Sequence, residues 1–597
     1  MHFPRLTPTK TTESVIRSFG GLDTTISCPE NCFIDTQNTS SALFPLLSTR
    51  QKRYTLSTFN TLPSALHSIN GITCTVGNSL YYNGVLQYDG LSPDTSKQLV
   101  SMGSSVIVFP DGYYINTLNV DRNGLCEERG SITSEVCYGN YTAAEIFPCI
   151  KGLPKPYKSD VPPSHTENTL WFDYTESPAI LKQYSKENNA WEVIQSDCCC
   201  IEIEGIDLEF AIDDLIEIQG LDYRINGKAT VIGYLPNGII IDKPFEGLEA
   251  FEILNDSNCK IKALLPIMDF VCEHQNRLFG CRYGLDHNGN FVNEIYASKL
   301  GSPGVWNAYN GLSTDSYAAS CGSEGAFTGI ISHMGYVVFF KENKIHRLFG
   351  TKPANYTLYE DSYCGVKLGS EKSLCLHNGT LYYHGKDGIY SYTGSTPTLL
   401  SRALGNISYS NAVGAICKNK YYLSLITPSD TPTLYVYDTE RALWHKEDST
   451  RYTEMAAFEN NIIGIKEDNG KYSAELIMGE NLPYILSRLY VKPKAEPNFE
   501  WYAETSDIGF FTDDAKTLTR LALRIQLDWG STLGVYVMTD SCGVWKKCGS
   551  LLGGKLKTFS MNICPPRCDH LRLKFVGKGG CKIYSLSKVF EYSGEVI

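Results

Sequence analysis

No apolar run in this 597-residue chain approaches the roughly 18 residues of a membrane-spanning helix, so no membrane span is expected. Met1 to Ser40 lacks the apolar core of about seven residues that an export signal carries, and secretion is not expected. Positive charge is the minority sign: Lys+Arg number 53 against 65 for Asp+Glu, a net charge of −12. That balance argues against a general nucleic-acid binder, which needs clustered Lys and Arg to neutralise phosphates. Amphipathic helical patterns are scarce, the best short candidate being "SALHSI" from Ser64. A G-x-S-x-G nucleophile elbow and a G-x-x-x-x-G-K-[ST] phosphate loop are both missing. Methionine is rare at 8 residues.

Tyrosine is abundant instead, at 38 residues. A Tyr ring packs well on a half-buried sheet face while its hydroxyl stays wet. The 21 cysteines are an odd number, which cannot pair completely within one chain. Without an export signal they are expected as free thiols in a reducing cytoplasm. Cys198, Cys199 and Cys200 read as small strand residues.

Strand signals dominate the chain. "SLYYNGVLQYDG" from Ser79 and "SVIVFPDGYYINT" from Ser105 each read as strand, tight Asn-Gly or Asp-Gly turn, strand. From Gly335 the pattern acquires a rhythm. "GYVVFFKENKIHRLFG" begins there, with related units at Gly379, Lys420 and Asn461. A period of roughly 40–50 residues with about four strands per unit is the signature of a β-propeller. The fold class is therefore all-β: a β-propeller core with an inserted β domain and a C-terminal β-sandwich. The expected division is 1–153 for an N-terminal segment and the first blades, 154–260 for the insertion, 261–495 for the remaining blades and 496–597 for the sandwich. The insertion follows a Pro-rich linker, "PKPYKSDVPPSH", and is acidic. Ile201 to Lys260 holds 13 acids and 4 bases, a local balance of 4 − 13 = −9. In the C-terminal part, "HLRLKFVG" alternates Leu571, Leu573 and Phe575 with Arg572 and Lys574, the pattern of a strand with one buried face. The N-terminal segment is expected to close the propeller by pairing with a late strand.

Candidate chemistry is sparse. Propellers host glycosidases, which need two carboxylates about 5–10 Å apart, and sequence alone does not locate such a pair. "TDSCGVW" (Thr539 to Trp545) approaches a sialidase Asp-box but has one spacer too many and lies outside the repeats. "CPPRCDH" groups Cys564, Cys568 and His570, with Cys581 following. Thiolate and imidazole ligands suit tetrahedral zinc, yet the spacing fits no usual knuckle, and core or turn residues are the favoured account. "CPENC" (Cys28 to Cys32) is discounted likewise. The expectation is a chain without catalytic residues, cofactor or metal.

The segment "SSALFPLLSTRQKR" ends in Arg50, Lys52 and Arg53. Three cations supply about three phosphate contacts, too few for tight nucleic-acid binding at physiological salt. Two readings stay open: an exposed surface turn anchored by "FPLL", or a subunit-interface cluster facing an acidic surface such as that of the insertion.

"SFGGLDTTISCPENCFIDTQNTSSALFPLLSTRQKR" resembles the opening of tail proteins from tailed bacteriophages, including the tail-tube nozzle proteins of short-tailed phages. The pattern is Gly20 and Gly21, then Asn38, then Pro45 with Arg50 and Arg53. "NRLFGCRYG" and "NEIYASKLGSPGVWN" (Asn276 to Asn307) resemble the blade segments of those nozzles. "CPPRCDHLRLKFVGKGGCKIYSLSKVFEYSG" resembles the last strands of structural proteins in prophages of Gram-positive bacteria. The matches cover about a fifth of the chain, which is shorter than many nozzles and richer in cysteine. The resemblance implies a virion structural protein, a nozzle or tail hub, assembled in the host cytoplasm and located in the tail. Its implied partners are copies of itself in a ring, other tail or portal-adaptor proteins, genomic DNA in transit and a host surface receptor. The alternative is a tail-tip or baseplate receptor-binding protein that recognises a cell-surface glycan.

Overall fold

The computed structural model describes residues 10–92, 97–126, 130–140, 157–166, 169–175, 180–193, 199–208, 210–212, 214–221, 225–235, 237–242, 252–285, 291–406, 408–479, 493–563 and 565–592. The chain is all-β and forms two compact units. One comprises Met1–Ser96, Phe327–Leu348 and Leu358–Ile597; the other comprises Lys97–Ala326 and Phe349–Thr357.

The first unit carries five blade-type sheets. Blade 1 is the meander Pro63–Ser68, Ile72–Val76, Ser79–Tyr82 and Val85–Tyr88. Blade 4 runs Phe327–His333, Tyr336–Lys341, Lys344–Phe349 and Thr357–Asp361. Blade 5 runs Cys375–His377, Thr380–Gly385, Gly388–Tyr392 and Thr398–Leu399. Blade 6 runs Ser410–Cys417, Lys420–Ile426, Pro432–Asp438 and Leu443–Lys446. Blade 7 has Arg451–Phe458, Asn461–Asp468 and Lys471–Met478, and it is completed by Tyr54–Phe59 from the N-terminal region. The expected pairing of an early segment with a late strand is therefore present, with Phe59 opposite Tyr472.

Local chemistry explains the hairpins. Between the first two strands of blade 5, Asn378 and Gly379 both take positive φ (49° and 75°), the pair that a two-residue turn between right-twisted strands requires. Where a blade of the first unit is covered on both faces, its second strand can read as an apolar run rather than an alternation. In Tyr336–Lys341 every residue is buried. Between blades 6 and 7 the seam is Val413, Cys417, Tyr422, Leu434 and Val436 against Tyr452, Met455, Ile462 and Ile477. The first strands of successive blades lie innermost: Ser410–Cys417 touches Arg451–Phe458, which touches Pro63–Ser68. "SALHSI" is thus a strand and not a helix. Ala65 pairs with Thr75 and Leu66 with Cys74, and tertiary pairing overrides a weak local preference.

The same unit holds a nine-stranded C-terminal sheet built on Lys516–Thr539, a 24-residue strand. Its first half pairs with Cys581–Tyr592 and its second half with Leu571–Lys578, with the register shifting at Leu527/Thr532. The sandwich so formed encloses Trp501, Leu521, Leu523, Val535, Leu571, Leu573, Phe575 and Phe590. Lys10–Ile16, Phe33–Gln37, Thr39–Ser40 and Leu47–Thr49 join this sheet. Within the stretch 1–153, expected to hold an N-terminal segment and the first blades, these opening strands belong to the sandwich, because their partners lie at the far end of the chain.

In the second unit, Gln98–Met102, Ser105–Phe109, Tyr113–Asn116 and Gly124–Leu125 form blade 2, while Phe270–His274, Arg277–Leu285, Phe291–Ala297 and Tyr317–Ser320 form blade 3. The insertion is a closed six-stranded barrel that starts at Gly130–Asn140, ahead of the expected boundary at 154. Its interior is packed with Ile201, Ile216, Ile218, Val231, Ile239, Ile241 and Ile261, so the barrel is a solid core. Glu202, Glu204 and Glu217 lie outside that core, half-buried or exposed. A small sheet over Tyr157–Ser159, Leu170–Asp173, Ile180–Ser185 and Ala190–Val193 accompanies it.

Candidate functional site

Arg50 and Arg53 do not form an exposed turn, nor an outward-facing subunit cluster. They are 7% and 4% exposed and are consumed by contacts within the chain. Arg53 donates to Glu447 Oε2 at 2.6 Å, Asp448 Oδ2 at 2.9 Å and Thr450 Oγ1 at 3.0 Å. Arg50 donates to Asn38 Oδ1 at 2.6 Å, pairs with Glu496 and lies 4.0 Å above the Phe499 ring. Glu447 and Asp448 follow blade 6, while Glu496 and Phe499 lead into the sandwich. Burial pushes the Asp448 carboxyl up, but the Arg53 and Arg50 guanidinium groups more than offset this and hold it below the usual range. Of the three predicted residues only Lys52 is exposed. With Arg50 it lines a cavity of about 540 Å³ that Tyr54, Phe499, Asp528 and Lys582 also border.

The other residues of the N-terminal pattern serve the same strap. A Cβ on Gly21 would stand 2.4 Å from the Trp444 carbonyl oxygen, so only glycine lets the backbone press against blade 6. There the Leu22 N–H donates to that carbonyl at 2.6 Å. Asn38, at φ 58°, donates its backbone N–H to Glu447 O and its side-chain amide to Glu500 O, both at 2.7 Å. Ser41 and Lys446 add bonds of 2.7 Å to Asp438 and Asp35. The strap thus ties blade 6, blade 7 and the sandwich together inside one unit.

A second titratable site lies on the innermost strand of blade 7. Glu454 is 7% exposed and its carboxyl is pushed up to about 7 by burial, with the Lys372 ammonium partly offsetting this. Lys372 is its salt-bridge partner, and the nearby Glu371 adds a further upward push. A carboxyl in that range suits proton transfer near neutrality. Nothing in "RYTEMAAF" sets Glu454 apart in sequence, because its character comes from blades that are distant along the chain.

The cysteine–histidine candidate does not assemble. Cys564 lies outside the described residues. Cys568 is buried with its thiol toward Lys516 O at 3.6 Å, and Cys581 is buried in the sandwich core. His570 instead contacts Ser541 and Asp569. Among the described residues, no group of three or more His, Cys, Asp or Glu is placed to hold a metal ion. Cys28 and Cys32 are half-buried free thiols. Burial, with Cys32 nearby, pushes the Cys28 thiol up to about 12.

No family model matches the chain, and no curated protein matches it. Solved structures do. An exo-β-1,3-galactanase from Phanerochaete chrysosporium aligns at 8% identity over 54% of this chain and 96% of its own, with a TM-score of 0.23. A glycoside hydrolase family 43 arabinoxylan arabinofuranohydrolase from Bacillus subtilis aligns at 8% over 53% and 94%, with a TM-score of 0.17. PorZ, a surface component of the type-IX secretion system of Porphyromonas gingivalis, aligns at 10% over 84% and 77%, with a TM-score of 0.26. The expectation of a chain without catalytic residues is withdrawn on this finding, since glycoside hydrolases stand among the matched structures. At these TM-scores the likeness assigns neither substrate nor residue.

Proposed function

We propose that this chain is a structural protein of a bacteriophage tail, of nozzle or hub type, working as a ring of identical copies around the path of the DNA. The observation that carries the reading is the strap. The residues through which the sequence resembles nozzle proteins, Gly20, Gly21, Asn38, Arg50 and Arg53, lie along one segment that joins late blades to the sandwich. A load-bearing virion component gains from such cross-ties, because buried charge pairs and a shared sheet must break together before the parts separate. A net charge of −12 suits a DNA conduit, since like charge keeps phosphates from adhering. Mass photometry and negative-stain imaging of the purified full chain, followed by cryo-microscopy of particles that contain it, test the reading. Axial rings are expected. A chain that stays monomeric and sits at the particle's periphery overturns the proposal in favour of the receptor-binding alternative.

A further inference from the structure

Two sequence motifs that carried nothing by themselves meet at one edge of the sandwich. "TDSCGVW" contributes Asp540 and Ser541; "CPPRCDH" contributes Asp569 and His570. Ser541 Oγ lies 2.9 Å from His570 Nε2, and His570 Nδ1 lies 3.1 Å from Asp569 Oδ2. This is the order hydroxyl, imidazole, carboxylate through which a serine is activated as a nucleophile. The carboxylate fixes the tautomer that leaves Nε2 free to accept the hydroxyl proton.

The surroundings hold that order. Asp540 Oδ1 accepts the backbone N–H of Asp569 at 2.8 Å, and the Asp540 N–H donates to His570 O at 3.0 Å, locking the two motifs together. Asp507, the other carboxylate facing the imidazole, stands 3.9 Å from Nε2. Arg572 holds it with bonds of 2.6 and 3.0 Å, leaving Ser541 the nearer partner. Ser541 lies on a turn where Asp540, Ser541 and Gly543 all take positive φ (48°, 49° and 76°). The turn lifts Ser541 clear of the strands on either side, with the same backbone geometry as the hairpin turns at Gln275–Asn276 and Lys418–Asn419. The Phe510 ring, 64% exposed, lies 5.6 Å from the imidazole and supplies an apolar contact to it.

We infer that Ser541, His570 and Asp569 form a second, hydrolytic site that cleaves short acyl esters presented at the protein surface. Ser541 Oγ adds to the ester carbonyl carbon while its proton passes to Nε2. The bond to the alcohol oxygen breaks, and Nε2 returns that proton to the leaving alcohol. Water then attacks the acyl-serine by the same route, releasing the carboxylic acid and restoring the hydroxyl. The open position of the turn matches an ester carried on a larger molecule, and the inference requires no assumption about a phage tail.

The test uses the intact chain with a fluorophosphonate probe, peptide mapping by mass spectrometry, and p-nitrophenyl acetate as the ester. Covalent labelling is expected at Ser541. Ser541→Ala should abolish it, and His570→Gln should slow it on the order of a hundredfold, with unchanged thermal melting in both. Ester turnover should fall in parallel. An unlabelled Ser541 in the wild-type chain overturns the site, as does equal labelling without His570. Labelling without turnover overturns the hydrolytic step.

Discussion

At the scale of single residues, the strap and the innermost strand make sharp demands. Arg53 is a buried cation between two carboxylates, and removing one partner of such a pair leaves an uncompensated buried charge. Arg53→Ala should destabilise the first unit by about 3–5 kcal/mol, read as a shift in denaturant midpoint, while Lys52→Ala should leave it unchanged. Gly21→Ala should lower the melting temperature because its methyl would meet a carbonyl oxygen rather than a yielding side chain. Glu454 gives a pH signature. Its carboxyl keeps a proton up to about pH 7 in the fold, against an ordinary 4.5. The folded state therefore binds more protons across that window, and the group's contribution to stability falls as pH rises through it. Glu454→Gln should gain stability relative to wild type between pH 5 and pH 8, measured by urea denaturation. Burial pushes His67, His346 and His384 down to about 4, and His445 to about 3, from 6.5. The unfolded chain takes up these protons first as pH falls below 6.5, so stability should decline toward pH 4. A stability profile flat over that range would contradict neutral burial of the four imidazoles.

At the scale of elements, pattern and partner separate what sequence reveals from what it hides. Hairpins with Asn-Gly turns and the alternation at Leu571, Leu573 and Phe575 were legible because neighbours within ten residues or so decide them, and the blade period because the same local unit recurs along the chain. The fate of Arg50 and Arg53 was not legible. Their carboxylates lie some 400 residues further on, and a basic cluster with unknown partners reads as surface. Ser541 and His570 were visible only as fragments of two discounted motifs, since no spacing rule brings together residues 29 apart across a hairpin. The strand at Tyr54–Phe59 yields a prediction of its own. Deleting residues 1–60 exposes the edge of Lys471–Met478, and unprotected edges recruit other chains. The truncated protein should aggregate, detected by light scattering under conditions where the full chain stays clear.

At the scale of the whole molecule, the topology sets the order of assembly. Tyr54–Phe59 leaves the ribosome hundreds of residues before Lys471–Met478, and the early strands Phe33–Gln37 and Leu47–Thr49 await the last hundred residues. Contacts of such sequence separation form late and slowly. During synthesis the opening segment must therefore remain unsatisfied, its two arginines without carboxylates and its strands without a sheet. Completion is coupled to the end of translation: only a chain that reaches its final strands acquires a seated N-terminal segment, and prematurely terminated copies keep that segment loose.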